Sequence, residues 1–570
     1  MQWVLKEIPD EQVDGIVEKI DCPRSLVQLL LGRGFFSASA INAFLKPSLS
    51  LLSDPFLLPD MQRAVDRIWN AVETQECIMV FGDYDVDGVT STALLVRLFS
   101  QLGIPVFSFI PNRMTEGYGF SKSAFERCQK VKECSLLVTV DCGTNSLEAI
   151  SYAQECGVDV IVTDHHEPDS EIATPLALVN PKLGNHSDIE NLAGVGVAFK
   201  LAHAIIKEGK RLEKTVVKKI NLKDYLDLVA LGTVGDSVPL LDENRILVRS
   251  GLAQFRTTCW EGLKALKIVS KVNDEITSYH LGFQIAPRIN AAGRVGEPLQ
   301  ALELLTTNTP DLAKELADLL DEKNQERRRI EQQITEKVLV EIEEYFNPKE
   351  NSGLVVFGED WHPGVLGIVA SRVSRYFNRP SIVLSVSNRK GMIRGSCRGI
   401  VGFDLLVALK RCETYLHKFG GHKMAAGVEL NLEQLESFKS AFNRAVAEQL
   451  SDSDLESILH IDALIQGKEI NNEFYSTLCQ LRPFGQENPE PIWLLRRAQI
   501  KGEPRWVGEK HLKFSVEVEG EVFEAIAFNY SHSSLPSGWV DLVFSLKENR
   551  WRGRQNLQLQ VIDIHFLDVE

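Results

Sequence analysis

The chain has 570 residues, 44% of them apolar, and a formal net charge of −16. That length exceeds a single core, so several domains are expected. The negative balance excludes coating of nucleic acid by bulk attraction, while leaving room for a local positive groove. No stretch approaches the twenty apolar residues of a membrane span, so no membrane partner is expected. The start MQWVLKEIPD lacks the basic and then apolar pattern of a secretory leader. Ten scattered cysteines without a C-x-x-C pair point to reduced thiols, hence the cytoplasm, and away from a cysteine zinc site.

Residues 1–50 read as a small helical lead-in. Over residues 51–270 the pattern is α/β with a helical extension. Apolar runs at 76–82, 104–110, 135–140, 158–163 and 176–180 recur at crossover spacing. Near-continuous apolar strands joined by helices imply a parallel sheet covered on both faces. Residues 271–350 form a connecting segment that contains a long helix. Its stretch 310–346 has no glycine, and a leucine/isoleucine stripe gives way to dense mixed charge, the pattern of a half-solvated rigid spacer. A second, smaller α/β block occupies 351–450. Five or six short strands with turns over 451–570 predict a small β-barrel. The fold class is therefore α/β multidomain with a C-terminal barrel.

Three polar loops follow strands in the first block. FGDYDVDGVTST carries Asp83, Asp85 and Asp87, read as alternating along an extended segment and so sharing one face. VTVDCGT carries Asp141, and VTDHHEP carries Asp164, His165 and His166. In open α/β sheets the loops at the carboxyl ends of the strands meet over the ligand. Crowded carboxylates repel, and a cation is the usual remedy. Hard oxygens with one or two imidazoles suit Mg²⁺ or Mn²⁺; zinc would need fewer carboxylates. A calcium loop is disfavoured, because VTSTALL after Gly88 lacks that motif's later acid.

GDYDVDGVTSTALL, VTVDCGT and TDHHEP resemble the signature blocks of the DHH phosphoesterase superfamily. ALGTVGDSVPL, APRINAAGR, WHPGVLGIVASR, FGGHKMAAG and LRPFGQENPEP extend the likeness to the RecJ family of single-strand DNA exonucleases, over residues 81–491. The resemblance implies a DHH catalytic domain, a DHHA1-type substrate-binding domain and an oligonucleotide-binding barrel. It implies that Asp85, Asp87, Asp141, His165 and Asp236 bind two Mn²⁺ or Mg²⁺ ions. Asp83 and His166 would line the centre, and Asp164 would orient a neighbouring ligand. Asp236 could not be picked from spacing, where it reads as a helix-end cap.

For the DNA, the arginines and glycines offer planar donors and close backbone approach to phosphates. The candidates are Arg113, Arg288, Asn290, Arg294, Ser396, Arg398, Gly420, Gly421 and His422, with Arg394 beside them. In the barrel, Arg550, Trp551, Arg552 and Arg554 form either a backbone-tracking loop or a plain hairpin tip. Cys397, beside Arg398, makes no case as a nucleophile. The implied activity is 5′-to-3′ exonuclease action on single-stranded DNA, releasing 5′-mononucleotides in repair and recombination. A monomer working with a single-strand-binding protein and a helicase is expected. A DHH-type small-molecule phosphodiesterase or nanoRNase, and a non-catalytic DNA-binding or replication-partner module, are the alternatives.

Overall fold

The computed structural model describes residues 2–112, 119–272, 275–387, 389–456, 458–530, 535–551 and 554–567. Five fully parallel strands build the first block: β2 (Ile78–Gly82), β3 (Val106–Phe109), β4 (Leu136–Val140), β5 (Asp159–Thr163) and β6 (Ala177–Val179). Their order is β3-β2-β4-β5-β6, with Gly82 opposite Val140 and Val140 opposite Thr163. β2 and β4 are buried on both faces, which explains their unbroken apolar runs. The order reverses between β2 and β4. That is the switch point where a doubly wound sheet leaves a crevice at its carboxyl edge, and the Asp83 and Asp141 loops both open there.

The second block orders its strands β10-β11-β9-β8-β7: β7 (Leu354–Gly358), β8 (Ser381–Val386), β9 (Met392–Arg398), β10 (Lys418–His422) and β11 (Ala425–Asn431). The Pro310–Tyr345 helix joins the blocks by burying two separate stripes. Ala313, Leu316, Ala317 and Leu320 enter the first core, and Ile334, Val338 and Ile342 pack under β7. Between them the helix is polar, with Asn324 and Glu331 buried: Arg327 bonds Asn324 (2.6 Å) and Glu331 (2.8 Å), and Arg372 of the second block meets Glu331 at 2.5 Å. The spacer thus ties the blocks together.

In the C-terminal module β14 (Trp493–Val507), β15 (His511–Val518), β16 (Glu521–Ala527), β17 (Trp539–Trp551) and β18 (Arg554–Leu567) close into a barrel through β14–β17 pairing. Here the lead-in expectation is corrected. β1 (Gln2–Leu5) pairs in parallel with β12 (Ile458–Ile461). The helices Asp10–Val17, Arg24–Gly32 and Ala38–Leu45 place Leu26, Leu30 and Ile41 in one core with Phe474, Trp493 and Leu512. Residues 1–50 are therefore no separate unit. Short amphipathic helices cannot bury their apolar faces alone, and here the barrel covers them. Among the described residues no helix is long and apolar enough to cross a membrane.

Candidate metal centre

Asp83 follows β2, but the segment does not stay extended. The Val86–Gln101 helix begins at once, with Asp85 as its N-cap accepting from Asp87 N (2.9 Å) and Gly88 N (3.1 Å). The expected single face shared by Asp83, Asp85 and Asp87 is thereby corrected. The turn divides them between two donor groups. Asp83, Asp85 and Asp141 offer oxygens within 4.8 Å of one another, and Asp87, His165 and Asp236 form a second such set. Asp141 also groups with His165 and His166. All the expected metal ligands converge, including Asp236, the last residue of the Leu226–Asp236 helix.

The scaffold leaves these groups little freedom. Asp87 accepts from Gly194 N (2.6 Å) and Val195 N (2.8 Å), the first amides of the Gly194–Arg211 helix, where the helix end favours a carboxylate. A Cβ at Gly194 would lie 2.7 Å from Asp141 Oδ1, and one at Gly232 would lie 2.9 Å from Asp87 Oδ1, so glycine is required at both walls. Asp141 itself has φ of 59°, a left-handed backbone unusual outside glycine and asparagine.

Burial first, then the charges of Asp236 and Asp85, push the Asp87 carboxyl well above its ordinary range. Burial and the charges of Asp87 and Asp85 do the same to Asp141. Burial with Asp85 raises Asp236 to about 7. Burial and the neighbouring His166 lower His165 to about 4, so its imidazole is neutral and free to donate a lone pair. Its Nε2 is buried without a hydrogen bond, 3.1 Å from Asp141, 3.7 Å from Asp236 and 3.9 Å from Asp87. An orphaned nitrogen ringed by carboxylates fits a divalent cation of the Mn²⁺ or Mg²⁺ type.

Asp164 belongs to none of these donor groups. It accepts from His165 N (2.8 Å), His166 N (3.2 Å), His166 Nδ1 (2.7 Å) and Thr144 N (2.9 Å). Burial opposes its charge, but the His166 hydrogen bond and charge prevail and hold it well below the usual carboxylate range. For His166 burial is likewise outweighed by Asp164, which lifts the imidazole to about 9. Asp164 thus fixes the His166 ring by hydrogen bond and favours its protonated form. His166 shares a cavity of about 400 Å³ with Gly143, Lys122 and, from the second block, His422.

The expected DNA contacts divide. Ser396 and Arg398 meet the first turn of the Leu366–Phe377 helix: a Cβ at Gly367 would stand 3.2 Å from Arg398 Nη2 and 3.5 Å from Ser396 Oγ. Arg398 Nε donates to Ser371 (3.0 Å). Gly420 and Gly421 lie on edge strand β10, opposite Gly427 and Ala426. Arg394 is also on β9, opposite Glu429. Arg288 is buried, pairs with Asp321 of the long helix at 2.7 Å and donates to Gln284 O and to Val269 O (3.2 Å). Asn290 is engaged within the protein, accepting from Val86 N (2.8 Å), and Arg294 donates to Gly364 O (3.1 Å) across the blocks. Arg113 and Arg552 lie outside the described residues, as do the side chains of Arg550, Trp551 and Arg554; backbone pairing of Trp551 with Arg554 puts them at a hairpin end. Burial drives the Cys397 thiol far up, which removes it as a nucleophile.

Sequence reasoning missed a groove of about 1670 Å³ beside the centre. Gly235 and Ser237, flanking Asp236, line one part; Arg482 and Lys547 of the barrel module line another. Tyr279 and Phe283, 60% and 65% exposed and 5.0 Å apart, also line it. Residues so distant in the chain give no local signal.

Three family profiles match the chain: the DHH family N-terminal domain over 77–233, the DHHA1 domain over 350–448 and the RecJ OB domain over 461–563. The single-stranded-DNA-specific exonuclease RecJ of Bacillus subtilis is 36% identical over 571 residues, 99% of this chain and 70% of that protein. The crystal structure of Thermus thermophilus RecJ in complex with Mn²⁺ is similar with a TM-score of 0.84 at 30% identity, covering 100% of this chain and 80% of that one. Its Mg²⁺ complex gives 0.79 at 29% identity, covering 100% and 79%.

Proposed function

This chain belongs to the RecJ family of DHH exonucleases, and from that premise we propose that it degrades single-stranded DNA from the 5′ end, releasing 5′-mononucleotides with the help of two Mn²⁺ or Mg²⁺ ions. It is a metal-dependent hydrolase of single-stranded DNA that serves repair and recombination. The observation that carries this reading is the convergence of five carboxylates and a neutral imidazole at the sheet's switch point.

Asp83, Asp85 and Asp141 would hold one ion and Asp87, His165 and Asp236 the other, with Asp141 reaching toward both. Bound divalent ions supply Lewis acidity that activates water and neutralises charge on the phosphate. The chain's own groups do the rest. His166, kept cationic by Asp164, donates to a phosphate oxygen at the centre. Gly194 and Val195 fix Asp87 so that the ligand geometry is set before substrate arrives.

Direction needs a terminal stop. Ser396, Arg398 and the first turn of the Leu366–Phe377 helix gather donors suited to a terminal phosphate. The groove with its arginine, lysine and paired rings suits a single strand, whose bases stack while its backbone follows positive charge. A single-strand-binding protein and a helicase are proposed as partners of a monomer.

The test uses one 5′-phosphorylated oligonucleotide labelled separately at each end, with a circular strand and a dinucleotide beside it. Immediate mononucleotide from the 5′ label and a descending ladder from the 3′ label are expected. The opposite pattern overturns the polarity, equal attack on circles overturns exonuclease action, and preference for the dinucleotide supports the small-molecule alternative.

A further inference from the structure

Most metal ligands are held by residues of the first block. Asp87 rests on Gly194 and Val195, Asp85 caps its own helix, and Asp141 N bonds Thr163 O (2.9 Å). Asp236 is the last residue of the Leu226–Asp236 helix, so its place is set both by that helix and by the chain that leaves it. That chain turns at Ser237, with φ of 66°, and runs through Leu240 into the Asp242–Arg256 helix.

Leu240 is fastened from outside the block. Its N–H donates to Gln486 O (2.9 Å), and a Cβ at Gly485 would lie 2.6 Å from Leu240 Cδ1 and 3.1 Å from its Cγ. Nearby, Ser278 Oγ donates to Phe484 O (2.5 Å). Five residues beyond Leu240, the buried guanidinium of Arg245 donates to Gln480 O (2.8 Å), Leu481 O (2.9 Å) and Arg482 O (3.0 Å), and also to Phe44 O (2.9 Å). Asn488 closes the same turn by donating to Leu481 O (2.9 Å) and Pro483 O (2.8 Å). A charged group spent wholly on backbone carbonyls fixes geometry, since each carbonyl it leaves would be buried without a partner.

We propose that the turn Gln480–Asn488, at the threshold of the barrel, is a positioning element of the metal centre. It sets Asp236 through Leu240, with Arg245 as its anchor. The barrel module thus acts on metal occupancy as well as on the DNA. This rests on the metal-dependent reading above.

The experiment presses on the contact and then relieves it. Gly485→Ala in the full chain should raise the Mn²⁺ concentration for half-maximal hydrolysis about ten- to a hundredfold, the usual effect of disturbing a group behind a metal ligand. Mn²⁺ titrated calorimetrically into the DNA-free protein should show the same loss. Adding Leu240→Ala, which removes the atoms the new methyl strikes, should return the Mn²⁺ half-point toward that of the starting protein. An unchanged Mn²⁺ half-point in Gly485→Ala overturns the proposal. So does a Gly485→Ala chain that fails to fold, or a defect that Leu240→Ala does not relieve, because the contact would then act on the fold at large. A starting protein that needs no metal at all would instead defeat the functional reading beneath it.

Discussion

Asp141→Asn should make the metal-free protein more stable and the Mn²⁺-bound condition less so. Asp141 is 3% exposed and faces the charges of Asp87, Asp85, Asp236 and Asp83. Asparagine tolerates the left-handed backbone at this position, where φ is 59°, so the exchange removes charge without adding strain. We take about 1–4 kcal/mol for the gain, the scale seen when buried ion pairs give way to neutral residues of similar volume. At about 2–4 °C per kcal/mol for a domain this large, melting in EDTA should rise by roughly 2–16 °C. Mn²⁺ at a hundred times its dissociation constant adds about 2.7 kcal/mol to the unsubstituted chain, and the variant should lose most of that gain. Scanning calorimetry should therefore show the variant's lead over its parent in EDTA shrinking or reversing in excess Mn²⁺. Hydrolysis should fall below a tenth of the original rate. A variant that melts lower than its parent in EDTA would refute the argument, since carboxylate repulsion would then not be what the cation relieves.

Arg398→Ala should cost roughly 1.5–3 kcal/mol of preference for a 5′-phosphorylated over a 5′-hydroxyl strand, read from competition between the two; an unchanged preference would remove Arg398 from the terminus pocket. Truncation after residue 458 should give insoluble protein, because Leu26, Leu30 and Ile41 lose the barrel side of their core and each exposed side chain forfeits about 1.5–3 kcal/mol; a soluble, active fragment would contradict the shared core. Burial raises the Asp227 carboxyl from 3.8 to about 7. The folded chain therefore holds a proton that the unfolded chain has lost between these values. Its contribution is complete below the unfolded value and is lost as pH rises through the folded one, by about 1.4 kcal/mol per pH unit. Asp227→Asn should flatten that slope in urea denaturation at pH 5, 6 and 7; parallel slopes would count against it.

The parts of this architecture that were legible are those written locally. Five apolar runs at crossover spacing announced a parallel sheet, and acids directly after β2, β4 and β5 announced a site at its carboxyl edge. The grouping of those acids was not legible, because Asp85 doubles as a helix cap and turns the chain before alternation can operate. Asp236 sits at a helix end with no periodic cue, and only resemblance to a family marked it. The glycine of NLAGVG did carry a usable signal, a helix opening at Gly194 whose free amides must face an acceptor. The union of residues 1–50 with the barrel lay beyond local patterns altogether: Gln2 and Ile458 pair across almost the whole chain.

That long closure bears on how the enzyme keeps its groove. Arg33 reaches Asp462 at 3.1 Å and Asn488 at 2.9 Å. Arg245 bonds Phe44 O from the first segment and Leu481 O from the last. Both guanidiniums sit where lead-in, catalytic helices and barrel converge, and both present fixed, planar donors, Arg245 to buried carbonyls and Arg33 to the half-buried Asp462. The bonds of this junction are drawn from three chain segments. The wall of the groove that carries Asp236 is therefore braced by the module that lines its other side. The same bracing sets Arg482 and Lys547, the latter paired with Glu490 at 2.5 Å, in one groove with the residues that flank Asp236.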